Sequence, residues 1–300
     1  MFFEQKNCRF VFLLFFFTFL EVGCSDQSNA MHFVTVADSE HFPWLEGLIA
    51  SILKYNYTKI SKIAVFDLGL RQSEVDRLKQ IKFVEVYQIE DVNSEMRVKF
   101  IVRTNGRLAR GWYSWKPIVF YQALKMFPSF LYLDSGVEVC APLDAIFDEI
   151  EREGYYLFDG MHLIYPVVTD QVKQLFELNR EENRWILEEN CISAGIQGIS
   201  RCLLDSYVAP MYQLASNIKN FEDNGSSAWG YGFARHDQSL FSILARKLQL
   251  KTHPFYCCPT KIRVGDHKIY FGGLRYFKLR KHIEKNGARL EHAKIYNLLG

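Results

Sequence analysis

The sequence predicts an α/β fold, a mainly parallel sheet flanked by helices in one large domain. Three observations lead there. Apolar strands and helices alternate from residue 31 to residue 158 at crossover lengths. The strand Phe130 to Leu133 is apolar without alternation, as expected where helices cover both faces of a sheet. It stops at Asp134, which places a carboxylate at the carboxyl edge, where open α/β sheets bind ligands.

Met31 to Ala37 reads as the first strand, and Pro43 to Tyr55 as an amphipathic helix with Leu45, Leu48, Ile49 and Ile52 on one side. Lys62 to Phe66 is the second strand, closed by Asp67-Leu-Gly69. A helix from Ser73 to Gln80 leads to the third strand, Lys82 to Tyr87. Residues 89 to 112 are polar and poorly periodic, which predicts a loop or an excursion over the sheet edge. Ser114 to Phe127 returns to helix, with Pro117 tolerated in its first turn. After the strand at Asp134 come a short helix, Pro142 to Arg152, and a strand, Tyr155 to Phe158. The second half predicts a helix at Gln171 to Leu187, a glycine-interrupted strand at Cys191 to Ser200 and a helix at Arg201 to Ile218. A Gly/Ser-rich loop, Asn224 to Gly232, then leads to His236-Asp-Gln-Ser239. These residues open the helix Leu240 to Leu248, which precedes a strand at Lys251 to Tyr256. No internal repeat and no linker divides the chain.

With 300 residues, 49% of them apolar and 15% aromatic, the chain can bury a sizeable core, and its net charge of +2 points away from a polyanionic partner. No nucleic-acid-binding signature is present. Residues 1–25 have a basic start, an apolar run from Phe10 to Leu20 and a small-residue exit, the layout of a signal peptide or short signal-anchor. They precede a main domain over 26–277 and a basic tail over 278–300. Of seven cysteines, Cys140, Cys191, Cys202, Cys257 and Cys258 lie in the body, at spacings that suit buried thiols with one or two bridges rather than zinc. Asn56-Tyr-Thr58 and Asn224-Gly-Ser226 fit the glycosylation sequon.

The first strand is followed by Ala37-Asp-Ser-Glu-His41, with no glycine fingerprint, and no Walker loop occurs. A bound diphosphate would therefore need neutralising by a cation and side chains. Asp134-Ser-Gly-Val-Glu138 offers two acids around a turn, which can hold a hard divalent ion with substrate phosphates completing its shell. The same residues also make an ordinary turn followed by a solvated strand residue.

Tyr113-Ser-Trp-Lys-Pro117, Leu131-Tyr-Leu-Asp-Ser-Gly-Val137, Ser193-Ala-Gly-Ile-Gln-Gly198 and His236-Asp-Gln238 occur in this order, after Val34-Thr-Val-Ala-Asp38 and Ala64-Val-Phe-Asp-Leu-Gly69. Together they resemble the nucleotide-diphospho-sugar transferases of the GT-A fold, secretory members included, from about Met31 to Tyr256. The resemblance implies a Rossmann-like sheet and a hexosyltransferase-like enzyme. It also implies Mn2+ or Mg2+ as metal, a UDP-sugar donor and a glycan or glycoprotein acceptor.

Asp134 matches the first acid of the family's Asp-x-Asp metal motif, but Gly136 stands at the third position. Either Glu138 or His253 then completes the metal shell, or metal binding is weak or absent. Asp38 falls where the family contacts the base or ribose. Lys116 is placed to reach the donor phosphates, or is a helix-start lysine in solvent. Ala194 and Gly195 match small residues beside the donor sugar, and Asp237 and Gln238 a pair at the sugar or acceptor site, unless Asp237 caps a helix. Trp229, in Trp-Gly-Tyr-Gly232, suits sugar stacking on a lid. The implied setting is the Golgi lumen, anchored through the N-terminal segment, or secretion. The alternative is a sugar-binding protein of this fold without turnover, which Gly136 favours.

Overall fold

The computed structural model describes residues 30–102, 107–254, 269–271 and 274–276. The signal segment, Cys257, Cys258 and the basic tail lie outside them. In chain order the elements are β1 (Met31–Ala37), α1 (Phe42–Asn56), β2 (Ile60–Asp67), α2 (Gln72–Lys79), β3 (Val84–Gln88), β4 (Lys99–Val102), β5 (Arg107–Arg110) and α3 (Trp115–Met126). There follow β6 (Ser129–Leu133), β7 (Val137–Val139), α4 (Asp144–Glu153), β8 (Tyr155–Leu163), α5 (Asp170–Leu175), α6 (Glu181–Arg184) and β9 (Asn190–Ser200). The last are α7 (Ala209–Leu214), α8 (His236–Lys247), β10 (Ile269–Phe271) and β11 (Leu274–Tyr276).

The central sheet has the order β3-β2-β1-β6-β9-β8. β3, β2, β1 and β6 run parallel, while β9 is antiparallel to both neighbours. Consecutive residues of one strand face opposite sides, and both sides are apolar. Val34, Phe66 and Tyr132 join α3 and α8 in one core cluster. Phe33, Ile63 and Leu131 join α1 and α4 in the other. That is why these strands read as unbroken apolar runs. Fully burying each Leu or Phe contributes about 1.5–3 kcal/mol, so the two layers supply the main driving force for the fold.

The parallel strands end together at Ala37, Asp67 and Leu133, and the ligand edge of the sheet forms there. The predicted strands and helices of the first half stand where expected. The excursion at 89 to 112 is instead structured as the β4–β5 hairpin. β7, absent from the sequence reading, pairs with β11 and is tied to α1 by the Ser51 hydroxyl, which accepts from Val139 N at 3.0 Å. The expected helix over 171 to 187 breaks after α5, where Glu177 has a φ of +54°, and resumes as α6 and a 3-10 turn, Trp185–Glu188. The predicted helix over 201 to 218 is helical from Arg201 to Leu214, but as successive 3-10, π and α turns, with Pro210 in the first turn of α7, where its missing N–H is tolerated. The strand expected at Lys251 is reduced, among the described residues, to one bridge between His253 and Phe158. Gly154, at φ +83°, ends α4 in the left-handed conformation that favours glycine.

The sequon asparagines differ. Asn56 is buried, donating to Ile52 O and accepting from Leu143 N, so it joins α1 to the chain entering α4. Asn224 is exposed. Cys191 and Cys202 are free thiols, and burial pushes the Cys191 thiol up to about 12. No helix among the described residues is long and apolar enough to cross a membrane. Replacing Asn56 with Ala leaves the buried Leu143 N–H without its acceptor, so Asn56→Ala is expected to lose about 1–3 kcal/mol of unfolding free energy by urea denaturation.

Candidate functional site

A cleft of about 210 Å³ opens at the carboxyl ends of β1, β2 and β6. Ala37 and Leu68 form part of its apolar lining, Asp134, Ser135 and Gly136 contribute the β6 turn, and Arg110, Lys99, His41 and Tyr113 supply polar and aromatic groups. The strand-end position predicted for Asp134 is therefore the position of a cavity.

Asp134 follows the last residue of β6, and its N–H donates to Gly195 O on β9 at 2.9 Å. Oδ1 accepts from the Tyr132 hydroxyl at 2.6 Å and lies 3.2 Å from Lys116 Nζ. The side chain remains 38% exposed. No bond to Oδ2 is formed among the described residues.

Lys116 is turned inward. It lies in the first turn of α3, its side chain is only 3% exposed, and its ammonium meets three acceptors. These are Asp134 Oδ1, Asp237 Oδ2 at 3.0 Å and Ala194 O at 3.1 Å. The expectation that it reaches donor phosphates is corrected by this burial, and so is the alternative of a solvent lysine. Its function in the site is to hold two carboxylates. Burial opposes its charge, but Asp134 and Asp237 outweigh that and raise its pKa above the ordinary value. Asp237 shifts the other way from a usual ion-paired acid: burial outweighs the attraction of Lys116 and holds its carboxyl above the ordinary range. One cation shared by two acids is insufficient for the buried one.

Asp237 lies in the first turn of α8, where Arg235 is the cap residue, so Asp237 is not the helix cap. It reaches the cleft through Lys116, as a positioning residue. Gln238 donates from Nε2 to Ile192 O at 2.7 Å, which fastens α8 to β9. Ala194 and Gly195 serve through their carbonyls, one on Lys116 and one on Asp134 N–H. The motifs at residues 116, 134, 194 to 195 and 237 thus meet at one point.

Asp38 also departs from expectation. It lines the cleft, but its carboxylate is buried and saturated by the protein. Oδ1 accepts from Glu40 N, His41 N and His41 Nδ1, and Oδ2 from Arg110 Nε at 3.0 Å. Burial would raise its pKa, yet His41 and Arg110 hold it well below the usual carboxylate range. Its carboxylate thereby aims Arg110 and His41 at the cleft it lines.

Glu138 lies on β7, beyond the Ser135–Gly136 turn, paired in register with Arg275, and does not line the cleft. His253 is three strand positions from β6 in the order β6, β9, β8, His253, or about 14 Å at the usual strand spacing. Its Nε2 lies 2.5 Å from Glu149 Oε1. The structure does not bring either residue to Asp134. Among the described residues no group of three His, Cys, Asp or Glu could hold a metal ion. Trp229 also stands away from the cleft, on a loop whose Trp229 N–H donates to Pro166 O.

Arg110, His41, Lys99 and Tyr113 were not legible as site residues. Tyr113 is carried by three consecutive left-handed residues, Gly111 (φ +55°), Trp112 (φ +47°) and Tyr113 (φ +65°). A Cβ at Gly111 would lie 2.2 Å from Met96 O, so only glycine fits. Trp112 and Tyr113 each carry about 1–3 kcal/mol of backbone strain. Packing holds it, with Trp112 stacked between Phe100 at 5.0 Å and His236 at 4.9 Å. His236 donates from Nδ1 to Phe221 O at 2.7 Å, and burial lowers its pKa.

No family model matches the chain, and no curated relative matches its sequence. Solved structures do match. Core-mannan synthase A from Aspergillus fumigatus, in a manganese- and GDP-bound form, is 13% identical with a TM-score of 0.52, over 77% of this chain and 74% of that one. The galactosyltransferase LgtC, in complex with donor and acceptor sugar analogues, is 14% identical with a TM-score of 0.50, over 90% of this chain and 96% of that one. The chain has the GT-A fold of nucleotide-sugar transferases.

Lys116→Ala leaves two buried or half-buried carboxylates without their cation and is expected to cost about 3–5 kcal/mol at pH 7. Since the raised pKa of Asp237 favours its protonated form, the deficit against wild type is expected to shrink as pH falls through the carboxylate range. Chemical denaturation at pH 7 and pH 4.5 measures both.

Proposed function

We propose that this protein transfers a sugar from a nucleotide-diphospho donor to a hydroxyl of a glycan or glycoprotein. One observation carries the reading: Asp134, on the carboxyl edge of a GT-A sheet, opens into a cleft while a buried Lys116 fixes it from behind.

The residues fit a metal of a particular kind. A Mg2+-like ion is commonly held by one or two carboxylates plus substrate phosphates rather than by an all-protein cage. With Gly136 in place of a second acid, Asp134 is the one carboxylate of the family motif left to hold Mn2+ or Mg2+, with a nucleotide diphosphate supplying the remaining oxygens. Bound there, the ion would offset charge gathering on the departing diphosphate. Neither Glu138 nor His253 is needed. Arg110 and Lys99 present cations at the same cleft, and the Asp38 contacts pre-set the guanidinium before the donor arrives. Lys116 and Asp237 orient Asp134 without touching the donor.

UDP as the donor nucleotide is supported by the family resemblance. A secretory setting, the Golgi lumen or secretion, is supported by the apolar run at residues 10 to 20 and by the exposed Asn224 sequon. Anchoring through that N-terminal segment belongs to the same reading. Gly136 supports a second reading, a sugar-binding protein of this fold that does not turn over.

Calorimetry and donor-hydrolysis assays separate these readings. Mn2+ alone is expected to bind weakly and to bind at least tenfold tighter with UDP present. Asp134→Asn is expected to abolish that coupling and lower turnover of a UDP-sugar about 100-fold or more. Donor binding without turnover in wild type would establish the second reading, and absence of both binding and turnover would refute both.

A further inference from the structure

A second cavity, of about 420 Å³, lies away from the donor cleft, lined by Leu163, Tyr165, Lys173, Arg184 and Leu187 among others. One aromatic ring lines it, that of Tyr165, which is 52% exposed. The next residue, Pro166, receives Trp229 N–H on its carbonyl at 3.2 Å, so the Trp229 loop docks beside Tyr165. Trp229 is itself 52% exposed and meets Phe233 edge to face at 5.9 Å, with Phe233 at 42%. The loop is built, not slack. Buried Asp223 accepts from Gly225 N at 3.0 Å and from Gly232 N at 2.5 Å, closing the loop on itself.

This surface is joined to the acidic pair. Val167 O accepts from Arg235 N at 3.1 Å and from Ser239 Oγ at 3.4 Å, which fixes the Tyr165 segment to the start of α8, one turn of which carries Asp237. The distance is set by β9. Asp134 bonds to Gly195 and Leu163 pairs with Asn190, five residues further along that strand, or about 16 Å. That is more than one sugar ring.

We propose that this surface is a distal acceptor subsite, which holds one sugar of an oligosaccharide whose reacting hydroxyl lies at the donor cleft. The assignment rests on the transferase reading above. Tyr165 and Trp229 present flat, rigid, partly polar side chains of the kind that bury area at low entropic cost, and these match the C–H face of a pyranose. Lys173 and Arg184 line the same cavity and supply N–H donors for ring hydroxyls; Lys173 pairs with Asp170 at 2.9 Å and its ammonium lies 5.6 Å over one face of the Tyr165 ring, which leaves the other face for a sugar. A few placed polar groups beside apolar faces is the composition expected of a small-ligand site. The consequence is a preference for acceptors of several sugars over monosaccharides.

The test uses the full chain on an array of defined oligosaccharides, with UDP plus manganese titrated in parallel. Wild type is expected to retain at least one oligosaccharide. Tyr165→Ala and Trp229→Ala are expected to lose at least tenfold of that affinity and Trp229→Phe to keep most of it, with UDP affinity within twofold and the thermal midpoint unchanged in all three. Equal glycan binding by the alanine variants overturns the subsite, and so does a wild type that binds UDP but no oligosaccharide. A wild type that binds no UDP overturns the transferase reading instead, and with it the acceptor role given to this surface.

Discussion

A single ammonium organises the candidate centre. Lys116 enters from α3, Asp134 from the end of β6, Ala194 from β9 and Asp237 from α8, so four elements spread over about 120 residues converge on one buried cation. Taking that charge out of water is costly unless its partners are well placed. Two carboxylates and a carbonyl meet the requirement, and the surplus acid appears as the upward shift of Asp237. The constraint acts in both directions. The cation holds Asp134 in place, and the need to satisfy the cation fixes how α8 sits on β9.

The same economy governs the cleft's other wall. Asp38 is an acid at the end of β1, yet every described contact it makes is to the protein: backbone N–H groups of Glu40 and His41, the His41 ring and the Arg110 guanidinium. Arg110 is thereby held on the excursion between β3 and α3, and the adjoining left-handed residues turn Tyr113 into the cleft. The two acids at the sheet edge therefore differ in role because their environments differ. Asp38 is enclosed and saturated, whereas Asp134 is backed on one oxygen and open on the side of the cleft.

Much of the fold was legible. Unbroken apolar runs at β1, β2 and β6 identified strands covered on both sides, and their spacing required helical crossovers. β7 escaped notice because three residues carry almost no periodicity, and its place is fixed by Ser51 on a distant helix. The helix predicted over 171 to 187 broke where left-handed Glu177 overrides a continuous apolar pattern, and the one predicted over 201 to 218 changed pitch ahead of Pro210 and ended at Leu214. In the site, Asp134 was visible because a strand's end is a local feature. Arg110 and Tyr113 were not, since a polar excursion does not reveal which of its residues folds back over the sheet.

By itself the sequence determined the alternation of strands and helices, the sheet's two apolar faces and the acid at its carboxyl edge, because periodicity and strand ends are local properties of the chain. Only the tertiary structure decided what the charged residues do. Whether Lys116 faces phosphate or carboxylate, whether His253 reaches a metal or Glu149, and whether Asp38 is open or saturated depend on which distant groups share its surroundings. Burial and pairing, which set charge and availability, arise only when the chain closes on itself.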